Sequence, residues 1–340
     1  MVESFEDAMV FLNAGVCNVV AGETGMVLEA NVRSLGFTGP EYEIGKSLHS
    51  KEPLAALTSQ DDRVWSKFVW WVFNALVQAE ELGITKATAS SMAATDIFGE
   101  QFRHMFQNAV GANGNFGEIY NKNLEDVLPR GNGMNRINRN SGMIYSFPFG
   151  NTQTQGPEPS VGGTIDAIRK RGALICGVSL LPGFVNVDSE IGTFTGMEVD
   201  ICRGIAAALF NGKVEVQFSL LETHDRFSLL SAGAIDIVVS RVTTNIQREI
   251  REATTGRGFD FSPPYFYDAM KFTGILPYGL CADELTFDGT EVSTDCVNTK
   301  ICVPNGSSWL DAMLGQLNIP ENHLVMINSR SEIDDKMISG

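Results

Sequence analysis

Trp65, Phe68, Val69, Val72, Phe73, Leu76 and Val77 fall at i, i+3, i+4, i+7, i+8, i+11 and i+12. That period wraps them onto one face and predicts a long amphipathic helix. Asp61 and Asp62 suit its first turn, where carboxylates meet the positive end of the helix dipole, and Gly83 suits its end. A second stretch, residues 220–251, changes period partway. Phe227, Leu229 and Leu230 ahead of Ala232-Gly233 predict an amphipathic helix stopped by glycine. Ile235-Asp236-Ile237-Val238-Val239 then predicts a short strand, too apolar to alternate and so buried on both faces. Ser240, Arg241, Thr243, Thr244 and Arg248 follow as a polar cluster just past the strand's carboxyl end. Open α/β sheets bind ligands at that end of their strands. Hydroxyls and amides there can hold a carboxylate, and Arg248 offers a planar fork of donors for one.

The same grammar recurs near the amino terminus. Residues 5–15 repeat the helix pattern and residues 16–21 the strand, with Leu12, Ala14, Gly15 and Val20 standing where Leu230, Ala232, Gly233 and Val238 stand. Two such units predict two lobes. Glu23 falls just beyond its strand. Residues 150–163 turn to Gly, Pro, Thr and Gln without periodicity and read as a linker. Residues 164–172 then read as a helix, and 174–178 and 300–303 as strands. Asn305-Gly306-Ser307-Ser308 comes next; small hydroxyl residues ahead of a helix serve as an anion cradle or as an N-cap.

At 340 residues the chain is long for one core and comfortable for two. A net charge of −16 argues against nucleic acid and anionic membranes as partners. No run reaches the apolar length of a membrane span, and the first residues lack the basic and apolar regions of a signal peptide. The six cysteines contain no Cys-x-x-Cys pair; their number fits three disulfides in an exported protein or six buried thiols. His49, His104, His224 and His323 are scattered, which argues against a metal site, and no cofactor is implied.

Several segments carry a resemblance to a known family. Lys-Glu-Pro-Leu from Lys51, Gln-Asp-Asp before the Trp-rich helix and Ala-Glu-Glu-Leu-Gly-Ile-Thr at its end resemble the general L-amino-acid-binding subfamily of the family 3 extracellular solute-binding proteins of ABC transporters. Gly114-Asn115-Phe116-Gly117-Glu118 and residues 130–149 resemble that subfamily's carboxyl end. Residues 164–178 look like a mature amino terminus, Leu181-Pro182-Gly183-Phe184 like an aromatic pocket wall, and Gly196–Cys202 like the start of the next helix. Residues 220–251 resemble the first-lobe ligand loop, and 259–275 the crossing between lobes. The order is inverted, with the family's carboxyl half first. Residues 326–340 stop where residues 1–15 start over, as in a circular permutant, one period of a tandem array, or halves exchanged between neighbouring copies.

The resemblance implies an α/β fold of the two-lobe, periplasmic-binding-protein-like type II, each lobe a mixed sheet flanked by helices, the halves in permuted order. Residues 164–276 with 86–150 would form lobe one, and 277–340 with 1–85 lobe two, with crossovers near Phe266-Tyr267-Asp268 and Ser50-Lys51-Glu52. The implied activity is non-catalytic binding of a free L-amino acid in the cleft between lobes, in a periplasmic or extracellular setting, with an ABC permease or neighbouring copies as partners. Arg248, helped by Ser240, Arg241, Thr243, Ser307 and Ser308, would take the α-carboxylate, Glu23 the α-ammonium, and Phe184 would pack on the side chain. On this arrangement Cys17 and Cys302 share one lobe, Cys176 and Cys202 the other, and Cys281 and Cys296 flank a short loop, consistent with three disulfides outside the cytosol. Two departures bear on ligand binding. Glu23 replaces the family's usual Asp, its extra methylene entering the amine's space, and Asn305-Gly306-Ser307 is an N-glycosylation acceptor. They leave a structural assembly protein without ligand as the alternative, and a cyclohexadienyl dehydratase-like enzyme using Glu23 as a minor one.

Overall fold

The Trp-rich stripe folds as the helix it predicts. In a computed structural model, which describes residues 11–12, 14–23, 42–44, 50–131, 133–150, 163–188, 190–275, 278, 281–282, 296–304 and 307–327, helix α1 spans Arg63–Glu81. Its seven stripe residues are all buried. Asp62 starts it as N-cap, Oδ1 accepting from Trp65 N at 3.0 Å. The other oxygen of the same carboxylate accepts from Thr164 N at 2.7 Å, the first amide of α4 (Thr164–Arg171). One side chain thus satisfies orphan donors at two helix starts. The approach is close: Gly163 has φ 71°, and a Cβ there would run into the Asp62 carboxylate. At the far end of α1, Glu80 receives both terminal nitrogens of Arg130, at 2.6 and 3.1 Å.

By its contacts the chain divides into two units, residues 53–267 and residues 1–52 with 268–340, so that it passes between them at Glu52–Pro53 and Tyr267–Asp268. These are the segments in which the sequence places its crossovers. Residues 53–85, expected with the unit containing 277–340, instead lie in the unit containing 164–267. The reason is packing: the apolar face of α1 joins one core with Met105–Asn113 (α2), Phe116–Asn123 (α3) and Met197–Leu209 (α5).

The sheet of this unit runs Phe266–Asp268 (β10), Glu52–Ser59 (β3), Ile237–Thr243 (β8), Leu174–Val178 (β4), Val216–Leu220 (β7), with Phe259–Phe261 (β9) also pairing β3. β8–β4–β7 are parallel, whereas β3 is antiparallel to β8. Successive residues of β8 enter opposite cores. Ile237 and Val239 pack with α1 and α5, while Val238 and Val242 pack with Phe227 and Leu230 of α6 (Arg226–Ser231). This is the two-sided burial that the unbroken apolar run requires. A small pair, Asn186–Val187 (β5) and Phe194–Thr195 (β6), precedes α5.

The second unit draws its sheet from both ends of the sequence: Leu324–Ile327 (β13), Ile301–Pro304 (β12), Val19–Glu23 (β1), Met270–Ile275 (β11) and Tyr42–Ile44 (β2). β1 runs parallel to β12 and antiparallel to β11. Val19, Ala21, Phe272, Ile301 and Val303 form its core with Leu310 and Met313, which lie on α8 (Ser308–Gly315). Each unit is therefore a mixed sheet flanked by helices. Among the described residues no helix is long and apolar enough to cross a membrane.

The cysteines pair as Cys17–Cys302, Cys176–Cys202 and Cys281–Cys296. The first joins β12 to the residues just ahead of β1, across 285 positions of sequence. Alkylating the denatured, unreduced chain should add no mass, whereas prior reduction should expose six reactive thiols; adducts without reduction would contradict the pairing. Replacing Cys17 and Cys302 together by serine should cost roughly 2–5 kcal/mol in urea unfolding. Asp62→Ala, which removes two caps, should cost about 2 kcal/mol in the same measurement.

Candidate functional site

Strand β8 does not stop where its apolar run stops. Ser240, Arg241 and Thr243, expected past the carboxyl end, lie within it because β3 pairs with this polar extension: Ala55 faces Val242 and Leu54 faces Thr243. Pairing with β4 has ended by then, its last partner being Val238. Between Val238 and Val242 the register with β3 shifts, and Arg241 adopts φ 45°. A non-glycine residue in the left-handed region inside a strand marks a bulge that re-aims a side chain, and it persists only where neighbours hold it.

The holder is Glu198, a residue the sequence reading did not single out. Its Oε1 accepts from Arg241 N at 2.8 Å and its Oε2 from Arg241 Nη1 at 2.9 Å, while the Tyr265 hydroxyl donates to Oε1. All three residues are buried. Burial pushes the Glu198 carboxyl above its ordinary value, against the opposing pull of Arg241; burial and the neighbouring Glu198 push Tyr265 well above its own. Gly196, with φ 129°, brings α5 close enough: a Cβ there would collide with the Phe184 carbonyl. A signal was present, since Glu198 is an acidic residue among Met197, Val199 and Ile201 in a run with no exposed face.

Around this pair the expected residues gather. Arg241 Nη2 donates to Ser179 Oγ at 3.0 Å, and Ser179 Oγ hydrogen-bonds Ser240 Oγ. The Arg241 guanidinium covers the Phe184 ring at 5.3 Å, and Phe184 meets Phe266 edge-on at 5.1 Å. Phe184 is thus fully buried. Arg248 lies in Ile246–Ile250 (α7), whose N-cap Asn245 accepts from Arg248 N at 2.9 Å. Its Nη1 donates to Thr243 O at 2.8 Å and its guanidinium stands over the Phe227 ring at 5.5 Å. Two arginines with different surroundings therefore stand along one strand end. Arg241 is engaged by a buried carboxylate, whereas the hydrogen bond from Arg248 Nη1 goes to a neutral carbonyl.

The other expected residues belong to the second unit. Ser307 is the N-cap of α8, accepting from Leu310 N at 3.3 Å and donating to Pro304 O at 2.7 Å. Ser308 Oγ donates to Glu52 Oε2 at 3.1 Å. Glu23 ends β1, paired with Met270, and its side chain lies outside the described residues, as do Asn305 and Gly306.

Residues 174–274 match the model of the bacterial extracellular solute-binding proteins, family 3. The chain is 38% identical over 112 residues to YhdW of Escherichia coli, covering 33% of this chain and 31% of that protein. It is 30% identical over 146 residues to the general L-amino acid-binding periplasmic protein AapJ of Rhizobium johnstonii, covering 43% and 38%. The match to the glutamate/glutamine/aspartate/asparagine-binding protein BztA of Rhodobacter capsulatus is 33% over 138 residues, covering 40% and 38%. Among solved structures, the ABC transporter periplasmic binding protein from Brucella ovis with glutathione bound aligns at 21% identity and TM-score 0.33, covering 53% of this chain and 52% of that one. The chain spans about a third of the length of the curated relatives it matches. β4, α5, β8 and the two arginines all fall within 174–274, the segment that matches the model of the bacterial extracellular solute-binding proteins of family 3.

Proposed function

We propose that this protein binds a free L-amino acid without chemical conversion, and that Arg248 receives the α-carboxylate. The observation carrying this reading is the buried Arg248 at the polar end of β8, its Nη1 held by a backbone carbonyl. A guanidinium presents several donors in one plane, and its charge-assisted bonds to a carboxylate are the stronger kind. Arg241 cannot serve the same purpose without releasing Glu198. It forms part of the framework, and Ser240 and Phe184 are tied to it. The amino-acid-binding relatives AapJ and BztA support the substrate class.

An exported location is supported by the three disulfides, which persist in oxidising compartments. An ABC permease would then be the partner that takes the ligand onward. Inverted order of the family's halves is part of the same proposal. It is supported by a family match that begins at residue 174, and by a second sheet built from residues 19–44 and 270–327.

Isothermal titration with the twenty amino acids tests the reading. At least one should bind saturably, and Arg248→Ala should weaken it about a hundredfold or more, because the ligand carboxylate is left buried and unpaired. Absence of heat with every amino acid would favour a structural assembly protein. Turnover of arogenate to phenylalanine would favour an enzyme.

A further inference from the structure

The loop joining β7 to α6, Leu221-Glu222-Thr223-His224-Asp225, carries the one group of three or more metal-ligating side chains found among the described residues. Glu222 Oε2, His224 Nε2 and an Asp225 oxygen lie within 4.8 Å of one another. His224 Nε2 is 3.4 Å from Glu222 Oε2 and 3.4 Å from Asp225 Oδ1. Neighbouring ligands in a tetrahedral zinc shell with bonds of about 2.0–2.2 Å are themselves about 3.4 Å apart.

Two features separate this loop from an ordinary solvated turn. Among the described residues Glu222 Oε2 is closed to solvent and has no hydrogen-bond partner; His224 Nε2, 3.4 Å away, pairs with it only when the imidazole is protonated. A buried acceptor left in that state costs free energy that a cation would recover. Asp225 occupies the N-cap position of α6 yet makes no capping bond with its side chain. Its carboxylate lies instead beside His224, on the same side as Glu222.

We propose that Glu222, His224 and Asp225 form a site for a divalent transition-metal ion, zinc being the best fit. An imidazole nitrogen and carboxylate oxygens are donor types that zinc accepts, and three protein ligands leave a fourth position for water or another donor. Magnesium and calcium demand oxygen shells of higher coordination number, which three side chains including an imidazole do not provide. His224 is half exposed, which gives the ion an entry path. Because β7, β4 and β8 are parallel, this loop leaves the sheet at the same edge as Ser240 and Arg241. Metal binding pins the start of α6, and Phe227 on that helix lies beneath the Arg248 guanidinium. The metal therefore stiffens the platform under Arg248 without touching it. The proposal does not depend on the amino-acid reading.

The test is calorimetric titration of the EDTA-treated, dialysed full chain with zinc chloride, beside His224→Ala, Glu222→Gln and a magnesium chloride titration. The wild-type chain should take up one zinc ion saturably and magnesium without measurable heat. Each variant should lose roughly tenfold or more in zinc affinity. The metal-free thermal midpoint of His224→Ala should equal that of the metal-free wild type, since the imidazole is half exposed. If that variant fails to fold, Glu222→Gln alone decides. No saturable zinc uptake, or the same stoichiometry and affinity in the folded variants, overturns the proposal, the latter placing zinc on acidic surface elsewhere. Saturable magnesium uptake lost in Glu222→Gln overturns the transition-metal assignment.

Discussion

A buried carboxylate that receives both the backbone amide and the guanidinium of one arginine is the constraint on which this architecture turns. Glu198 holds Arg241 in this way, and Arg241 sits at φ 45° in the bulge of β8. Breaking such a pair by removing one partner leaves an uncompensated charge in the interior. The pair therefore fixes the point where β8 gives up β4 and continues alongside β3. Everything polar that follows, from Val242 to the first turn of α7, takes its position from that point.

The same constraint sets two arginines seven positions apart in different surroundings. Glu198 engages both the backbone amide and the guanidinium of Arg241, and that guanidinium covers the Phe184 ring. Arg248 rests on Phe227 and a backbone carbonyl, a setting that keeps a planar fork of donors oriented. A sequence reading treats Ser240, Arg241, Thr243 and Arg248 as one polar cluster. The fold divides them into a framework and a candidate contact.

What could be read from the sequence follows from the range of the forces involved. The helix stripe from Trp65 to Val77 was legible because a period of 3.6 is a local property, and Asp62 was legible as a first-turn acid. That Asp62 also caps α4, a hundred residues on, was not, because nothing near Thr164 announces a partner so distant. The polar continuation of β8 was hidden for the same reason: its pairing comes from Leu54 and Ala55. Assigning residues 53–85 to the wrong partner segment followed from family order, whereas the structure follows the apolar face of α1. The cysteine pairs were reachable once lobes were assigned, since each joins elements within one unit. Ser307 shows the opposite limit: a hydroxyl ahead of a helix reads equally as cradle or cap, and its bonds to Leu310 and Pro304 are those of a cap.

Hydrogen exchange at the Arg241 amide probes the central pair most directly. In the native chain that amide, buried and bonded to Glu198 and the Tyr265 hydroxyl, should exchange as slowly as the amides of β4. Glu198→Gln should speed it selectively while β4 stays protected. Exchange of the native Arg241 amide as fast as that of an exposed loop residue would contradict the account.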